Sequence, residues 1–192
     1  MNFEEFNVTL PPMTPEVVGK KTAYFMDLLA KCGYDGAEDP ARLPKLAKFC
    51  AEYDAGREYR KLTRGLRLVG KTGRGKTFFF ELFRKWFGVP IVSLPMAVAD
   101  FARTGLSGFE DYRWMPVVID DWGRETSSKY MGGDYPFFAL LEQRMTAARQ
   151  GVLTFFTTEL EDSEIVARYG AAAASRINAL ADVIRLNGGD RR

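Results

Sequence analysis

The sequence predicts an α/β fold with a parallel β-sheet, and three observations lead to that class. From Gly65 onward, short apolar segments alternate with longer helical patterns, as in strand–helix–strand units. A glycine-rich loop joins the first strand to the first helix of this region. A later apolar strand ends in Asp120 and Asp121. Open α/β sheets bind their ligands at such strand ends.

Two helices are expected before this region. Thr14 and Pro15 suit the N-cap and first position of a helix that reaches about Gly33. A second helix begins near Pro44 and ends at about Gly56. Residues 1–60 are therefore assigned to a small N-terminal helical appendage and residues 61–192 to the main domain. The first twelve residues end in two prolines, which favours an extended arm.

The main domain is expected to contain five strands and four helices. The strands are Leu66–Val69, Val89–Leu94, Val117–Ile119, Val152–Phe156 and Val183–Leu186. The helices are Lys76–Phe87, Pro95–Arg103, Tyr135–Arg149 and Glu161–Ala179. Gly170 is a candidate break in the last helix.

The glycine-rich loop matches the phosphate-binding P-loop pattern G-x-x-x-x-G-K-[ST], and it lies between a strand and a helix as that motif requires. Its glycines allow consecutive N–H groups to face a phosphate at the helix N-terminus. Lys76 is expected to reach the β- and γ-phosphates of ATP, and the Thr77 hydroxyl to bind Mg²⁺. The predicted nucleotide site consists of Gly70, Lys71, Thr72, Gly73, Arg74, Gly75, Lys76, Thr77 and Phe78.

Three further positions are candidates for catalysis. Asp120 is expected to hold the magnesium shell, and Asp121 to act as general base toward the attacking water. The polar strand end Thr154–Glu159 offers hydroxyls that orient water near the γ-phosphate, and Thr158 is assigned this role. Arg176 is either a phosphate-sensing finger or a surface side chain, and its position in the sequence leaves both alternatives open.

Composition excludes several other classes. The chain has 192 residues, a formal net charge of +2, no histidine and two cysteines, which indicates neither a zinc site nor a disulfide framework. It shows no secretion signal and no apolar run long enough for a membrane helix, so a cytoplasmic protein is expected. The segment from Arg57 to Lys85 is rich in arginine and lysine, and it is either a phosphate-facing surface or a solvated helix face.

Taken in order, these segments resemble the DnaC/IstB branch of the AAA+ ATPases, which comprises helicase loaders and transposition helper ATPases. The resemblance extends over residues 64–191, about two thirds of the chain. The matching segments are Arg64–Thr77, Val118–Gly123, Thr157–Leu160, Arg168–Gly170, Ser175–Ile177 and Gly189–Arg191.

The resemblance implies an αβα sandwich with a five-stranded parallel sheet, no helical lid after the last strand, and ATP hydrolysis at a subunit boundary. Asp120 and Asp121 become the Walker B acids, and Arg176 becomes an arginine finger through which subunits associate. The implied partner is a replicative helicase or, in the transposition version, a transposase. Glu159 stands where the family normally has the sensor 1 asparagine, and a carboxylate there repels the γ-phosphate unless it points away.

Alternatives remain open at this point. A transposition helper ATPase has the same motifs as a helicase loader. A small-molecule or nucleotide kinase also combines a P-loop with this sheet, and Glu159 is compatible with a nucleotide-gated interaction module that does not hydrolyse ATP. Single-stranded DNA binding is open as well, because only Gly105–Met115 stands where loaders usually carry additional helical sequence.

Overall fold

A computed structural model describes residues 14–34, 41–59, 62–104, 110–125 and 135–188 of the chain. The helices in these ranges are α1 (Pro15–Lys31), α2 (Arg42–Tyr59), α3 (Lys76–Phe87), α4 (Leu94–Thr104), α5 (Tyr135–Ala148) and α6 (Asp162–Leu180). The strands are β1 (Gly65–Val69), β2 (Ile91–Ser93), β3 (Val117–Trp122), β4 (Thr154–Thr158) and β5 (Ala181–Arg185).

The five strands form one sheet in the order β2-β3-β4-β1-β5, and all neighbouring pairs are parallel. The predicted five-stranded parallel sheet is thus confirmed. Thr158 at the end of β4 pairs with Val69 of β1 and with Trp122 of β3. Because these three strands end at the same edge, the glycine-rich loop and the acidic strand end lie side by side.

Alternation along the strands divides the core into two layers. Val118 and Phe155 belong to one apolar cluster, whereas their neighbours Ile119 and Phe156 belong to the other. Side chains of α1, α2 and α3 complete the first cluster, and those of α4, α5 and α6 complete the second. Helices therefore cover both faces of the sheet, which makes the architecture an αβα sandwich.

The two N-terminal helices pack into the same core as the sheet. The Phe83 ring of α3 lies 5.8 Å from Phe49 and 4.7 Å from Tyr53, both on α2. Phe25 of α1 lies 5.7 Å from Phe87. Each buried aromatic ring of this kind contributes about 2–3 kcal/mol relative to exposure. The predicted boundary between appendage and main domain, at residues 60–61, lies outside the described residues and stays a prediction.

Four of the five strand predictions differ from the structure by two or three residues. The third strand, expected to end at Ile119, continues to Trp122. The fourth strand begins at Thr154 because Val152 still belongs to the turn that ends α5, where its N–H donates to the Ala147 carbonyl at 3.2 Å. The fifth strand begins at Ala181, directly after α6, and its first N–H donates to the Ile177 carbonyl. The second strand is also shorter than expected, because α4 begins at Leu94.

Several local predictions are confirmed. The Thr14 hydroxyl accepts a hydrogen bond from the Val17 N–H at 3.3 Å and so caps α1, with Pro15 as the first helical residue. The predicted bounds of α3 match the structure, and Gly170 interrupts α6 with φ 83° and ψ 163°. Helix α2 begins before Pro44, which the first turn accommodates because no N–H partner is needed there.

Some predicted features fall outside the described residues. These are the extended arm at residues 1–12 and the closing motif at residues 189–191. Within the described ranges, no helix combines the length and the apolar character that crossing a membrane requires.

Candidate nucleotide-binding site

The loop between β1 and α3 adopts a conformation that requires glycine. Gly75 has φ 81° and directly precedes Lys76, the first residue of α3. A Cβ atom at this position would lie 3.3 Å from the Tyr34 ring. Among the amino acids, only glycine adopts this backbone angle without cost and also leaves room for the neighbouring ring. No side chain caps α3, so a ligand can accept hydrogen bonds from its first N–H groups.

Lys76 is buried, and its ammonium lies across the loop. Its Nζ donates to the carbonyl of Gly70 at 2.6 Å and to that of Lys71 at 3.0 Å. Burial lowers the pKa of Lys76, whereas the carboxylates of Glu159 and Asp121, in that order, act to raise it. Two backbone carbonyls thus hold the ammonium beside the cavity. Phosphate oxygens accept hydrogen bonds from an ammonium more strongly than carbonyl oxygens do.

A hydroxyl and a carboxylate meet next to Lys76. Thr77 Oγ1 lies 3.1 and 3.3 Å from Oδ1 and Oδ2 of Asp120. Thr157 Oγ1 donates to Asp120 Oδ1 at 2.6 Å and accepts from the Asp121 N–H at 2.9 Å. Mg²⁺ prefers such oxygen ligands, with water and substrate phosphates completing its shell, so these residues fit the ion. We refer to Lys76, Thr77, Asp120 and Thr157 as the cleft floor.

Asp121 departs from the alternation of its strand. The pairing of β3 with β4 shifts register between Ile119 and Trp122, and Asp121 has φ 56°. Aspartate is one of the few residues with a side chain that adopt this region, and a bulge changes the direction in which a side chain points. As a result Asp121 lines the cavity with 37% of its side chain exposed, next to the buried Asp120.

Three polar side chains lie at the mouth of the cleft. Glu159 Oε1 accepts hydrogen bonds from the Thr72 hydroxyl and from Nη2 of Arg124, and this Arg124 nitrogen also contacts the Thr72 oxygen. Arg124 Nη1 lies 3.8 Å from Asp121 Oδ2. The Thr72 hydrogen bond is the largest cause that lowers the pKa of Glu159, and Arg124 and Lys76 lower it further. We refer to Thr72, Arg124 and Glu159 as the cleft rim.

Lys76 and Thr77 of the floor and all three rim residues line a cavity of about 520 Å³, a size suited to a nucleotide. Asp120 contacts this lining through Thr77, and Thr157 in turn contacts Asp120. The opposite wall consists of Phe78 together with Cys32 and Gly33, which follow α1. The Tyr34 ring lies nearly parallel to Phe78, at 4° and 6.0 Å between centroids. Arg74 lines this cavity, and none of the described residues forms a hydrogen bond with its buried Nη1, which favours an anionic ligand.

Comparison with protein-family models and with curated proteins yields no match. Solved structures, in contrast, do match. DnaI aligns over 94% of this chain and 94% of its own, with a TM-score of 0.64 and 24% sequence identity. A protein described as a primosome component, from Streptococcus pyogenes serotype M3, aligns over 75% of this chain and 80% of its own, with a TM-score of 0.56 and 20% identity.

AMPPCP-bound DnaA from Aquifex aeolicus is also similar, with a TM-score of 0.50 and 15% identity over 71% of this chain and 45% of DnaA. The chain shares the fold of these proteins, an αβα sandwich around a five-stranded parallel sheet. At these identities the similarity shows the fold. It confirms the resemblance inferred from the motifs at that level, and the roles of individual residues depend on the geometry of this chain.

The fold brings most of the predicted nucleotide site together. Gly70 and Lys71 contribute the carbonyls that hold Lys76. The other predicted residues line the cavity; they are Thr72, Gly73, Arg74, Gly75, Lys76, Thr77 and Phe78. Their assignment to nucleotide binding stays a prediction that this geometry supports.

Thr158 lies elsewhere than its predicted role requires. Its hydroxyl is buried, donates to the Trp122 carbonyl at 2.7 Å and accepts from the Leu160 N–H at 3.1 Å. The hydroxyl at this strand end that contacts Asp120 belongs to Thr157 instead. Neighbouring strand residues face opposite sides of a sheet, which is the signal that could have separated the two threonines.

Arg176 is also separate from the cavity of its own subunit. It lies on α6 after the kink at Gly170, and its Nη2 forms an ion pair with Glu142 Oε1 on α5 at 2.6 Å. The arginine is partly exposed, with 37% of its side chain accessible. The structure therefore leaves both roles considered for Arg176, the surface ion pair and the finger toward another subunit.

Arg124 is a site residue that sequence reasoning missed. It follows the Walker B strand by two residues and lines the cavity beside Asp121 and Glu159. An arginine so close to a strand that ends in two acids was a usable signal, because the carboxyl end of this strand faces the ligand.

Proposed function

We propose that this chain binds MgATP in the cleft between the P-loop and the ends of β3 and β4. The observation that carries the proposal is the cleft floor, where the ammonium of Lys76 and the oxygens of Thr77 and Asp120 converge. Lys76 would exchange its carbonyl contacts for β- and γ-phosphate oxygens. Thr77 would ligate Mg²⁺ directly, and Asp120 would hold the ion's water shell.

The base of the nucleotide is assigned to the wall formed by Phe78, Cys32 and Gly33. Phe78 is 46% exposed although it is a large apolar side chain, and the Tyr34 ring is stacked on it. An aromatic ring presented in this way suits stacking by a purine. This arrangement links the C-terminal end of α1 to nucleotide binding.

Hydrolysis is proposed to follow from Asp121. Its carboxylate would accept a proton from water as the water oxygen bonds to the γ-phosphorus and the bond to the bridging β–γ oxygen breaks. The products are ADP and inorganic phosphate. Lys76 would neutralise charge that develops on the phosphate oxygens, and Mg²⁺ supplies further charge neutralisation when bound.

The proposed biological role is that of a helicase-loader-like protein in DNA replication. It rests on the motif resemblance to the DnaC/IstB branch and on the similarity to DnaI and to a protein described as a primosome component. A ring-shaped replicative helicase is therefore the proposed partner. Binding of the purified replicative helicase, compared with that of a transposase, tests the role; selective binding of the transposase would reassign the chain to transposition.

A nucleotide-gated module without hydrolysis is the second candidate. The observation that favours it is Glu159, a carboxylate that lines the phosphate end of the cavity. Release of phosphate from MgATP by the purified protein, measured alone and with the partner present, separates the two candidates. Turnover in either condition supports the ATPase, whereas nucleotide-dependent partner binding without turnover supports the module.

Lys76→Ala is the direct test of the nucleotide site. We expect affinity for a fluorescent ATP analogue to fall by about 100-fold or more, because backbone N–H groups alone do not neutralise the phosphate charge. Lys85→Ala is the matched control, since Lys85 is an exposed lysine in the last turn of the same helix. An affinity of the Lys76 variant within about twofold of wild type would reject the P-loop assignment.

Arg176 is proposed to act on ATP bound by a neighbouring subunit. Its ion pair with Glu142 holds it outside its own cavity, and a guanidinium supplied by a neighbour typically contributes ~10³-fold in rate. Arg176→Ala and Lys76→Ala proteins, each inactive alone, should regain partial activity when mixed. Co-assembly without recovered activity would leave Arg176 as the surface ion pair.

A further inference from the structure

The cleft rim places a carboxylate beside the P-loop. Glu159 contacts the hydroxyl of Thr72, which belongs to the P-loop, and it lines the same cavity as Lys76. Among the carboxylates that raise the pKa of Lys76, Glu159 has the largest effect. Glu159 is therefore close enough to act on any anion that the lysine binds.

An isolated carboxylate at this position opposes nucleotide binding. Asp120 and Asp121 already contribute negative charge beside the same phosphates, and the repulsion between like charges increases as the charges approach one another. The repulsion is greatest for the γ-phosphate, because Thr72 lies in the loop and not at the base-binding wall. A local cation is needed if the site is to hold ATP.

Arg124 supplies that cation within the same subunit. Its Nη2 contacts both Glu159 Oε1 and Thr72 Oγ1, and its Nη1 is 3.8 Å from Asp121 Oδ2. One planar guanidinium thus contacts the P-loop, the Walker B segment and the residue after β4. These contacts hold the Glu159 carboxylate against Thr72 and Arg124.

We propose that Arg124 is a positioning residue that acts as the counter-ion of Glu159 and thereby makes the cleft selective for a nucleoside triphosphate over a diphosphate. The proposal rests on the proposed function, since it concerns the ligand of the same site. Arg124 affects nucleotide binding through Glu159, so the two residues function as a pair. Without Arg124, Glu159 repels the γ-phosphate; without Glu159, Arg124 keeps only its longer contact to Asp121 among these carboxylates.

A double-mutant cycle tests this pairing with fluorescent analogues of ATP and ADP in equilibrium binding. Arg124→Ala should weaken ATP binding by about tenfold and ADP binding by less than about twofold, because the γ-phosphate bears most of the repulsion. Glu159→Gln should tighten ATP binding by about two- to threefold. The double variant should recover an ATP affinity within about threefold of wild type.

Two further variants separate positioning from structural damage. Arg124→Lys keeps the charge but loses the fork, so we expect an ATP affinity between those of wild type and Arg124→Ala. The pair Arg84–Glu81 on α3 is the matched control, because it has a similar exposure and an N–O distance of 2.7 Å but does not line the cavity. Arg84→Ala and Glu81→Gln should leave the affinities for both nucleotides unchanged within about twofold.

The possible outcomes distinguish this inference from the proposed function. If Arg124→Ala weakens ATP binding and the double variant stays equally weak, Arg124 contacts the nucleotide itself and the counter-ion proposal is wrong. It is also wrong if Arg124→Ala binds ATP and ADP as wild type does. If the counter-ion proposal fails but Lys76→Ala abolishes nucleotide binding, the proposed function stands. If the wild-type protein binds no nucleotide, both proposals are rejected.

Discussion

The floor and the rim of the cleft contain similar chemical groups but hold them by different means. On the floor, Asp120 and Thr157 are 8% and 0% exposed, and both belong to central strands of the sheet. On the rim, the side chains of Arg124 and Glu159 are 46% and 35% exposed, and both residues follow the ends of strands. Backbone pairing fixes the floor, whereas side-chain contacts fix the rim.

One site can therefore combine a rigid part with an adjustable part. A buried hydrogen bond to a charged group contributes about 1.5–3 kcal/mol, and its geometry changes little because the strands cannot shift. An exposed ion pair contributes less than about 1 kcal/mol and rearranges readily when another charge arrives. The floor is thus suited to binding a metal and phosphates, and the rim to responding to what has been bound.

The first and largest expected effect concerns Asp121, which lies between the two regions. Asp121→Asn should reduce ATP turnover by about 100-fold or more while nucleotide binding persists, because the change removes a proton acceptor and leaves the phosphate-binding loop intact. Steady-state phosphate release and equilibrium nucleotide binding, measured on the same preparation, check both parts of this expectation.

Asp182→Asn is the control for Asp121. Asp182 is an exposed strand residue that pairs with Arg64 at 3.0 Å and does not line the cavity. Its variant should turn over ATP as wild type does. Retention of near wild-type turnover by Asp121→Asn would remove it from the role of base and would leave the bulge at φ 56° without a catalytic explanation.

The second prediction tests the floor by comparing two adjacent buried threonines. Thr157→Val and Thr158→Val should each lower the free energy of unfolding by about 1–3 kcal/mol, since each removes one buried hydroxyl and leaves its partners unpaired. Of the two variants, only Thr157→Val should also weaken magnesium-dependent nucleotide binding, by about tenfold, because the Thr157 hydroxyl contacts Asp120 and the Thr158 hydroxyl contacts the Trp122 carbonyl.

Chemical denaturation gives the stability of the two threonine variants, and a magnesium titration of ATP-analogue binding gives the functional difference. Equal magnesium dependence in the two variants would show that the hydroxyl on Asp120 is dispensable. A loss of magnesium-dependent binding in Thr158→Val alone would support the role that the sequence assigned to Thr158.

The sequence predicted the floor better than the rim for a physical reason. Lys76 and Thr77 are adjacent in a motif whose spacing is fixed by the phosphate it surrounds, and Asp120 directly follows the apolar part of a buried strand. The rim joins Thr72, Arg124 and Glu159, which are 35 to 87 residues apart. Pairing between long side chains on separate loops leaves no periodic pattern in a sequence.

The same reasoning applies to the fold. Alternating strands and helices predicted the parallel sheet, and the N-cap and P-loop positions of α1 and α3 were recovered because capping and loop geometry depend on neighbouring residues. The packing of Phe25 and Phe49 against α3 was not predicted. An amphipathic helix shows which residues are buried but does not identify the surface that buries them.

The third and smallest expected effect concerns the rim and its dependence on pH. Interactions with Thr72, Arg124 and Lys76 lower the pKa of Glu159 in the folded protein below its ordinary value of 4.5. A depressed carboxyl pKa stabilises the folded state above the unfolded pKa, and this contribution disappears as the pH falls through the folded pKa. Wild type should thus be more stable than Glu159→Gln at pH 7 and equally stable at about pH 2.

The expected difference at pH 7 is less than about 1 kcal/mol, because the pair is exposed to solvent, and it should shrink further at high salt. Urea unfolding of both proteins at pH 7 and at about pH 2, with and without about 0.5 M salt, measures it. A difference as large as that of Thr157→Val, or one that persists in acid and salt, would mean that Glu159 is held as rigidly as the floor. The distinction between a fixed floor and an adjustable rim would then fail.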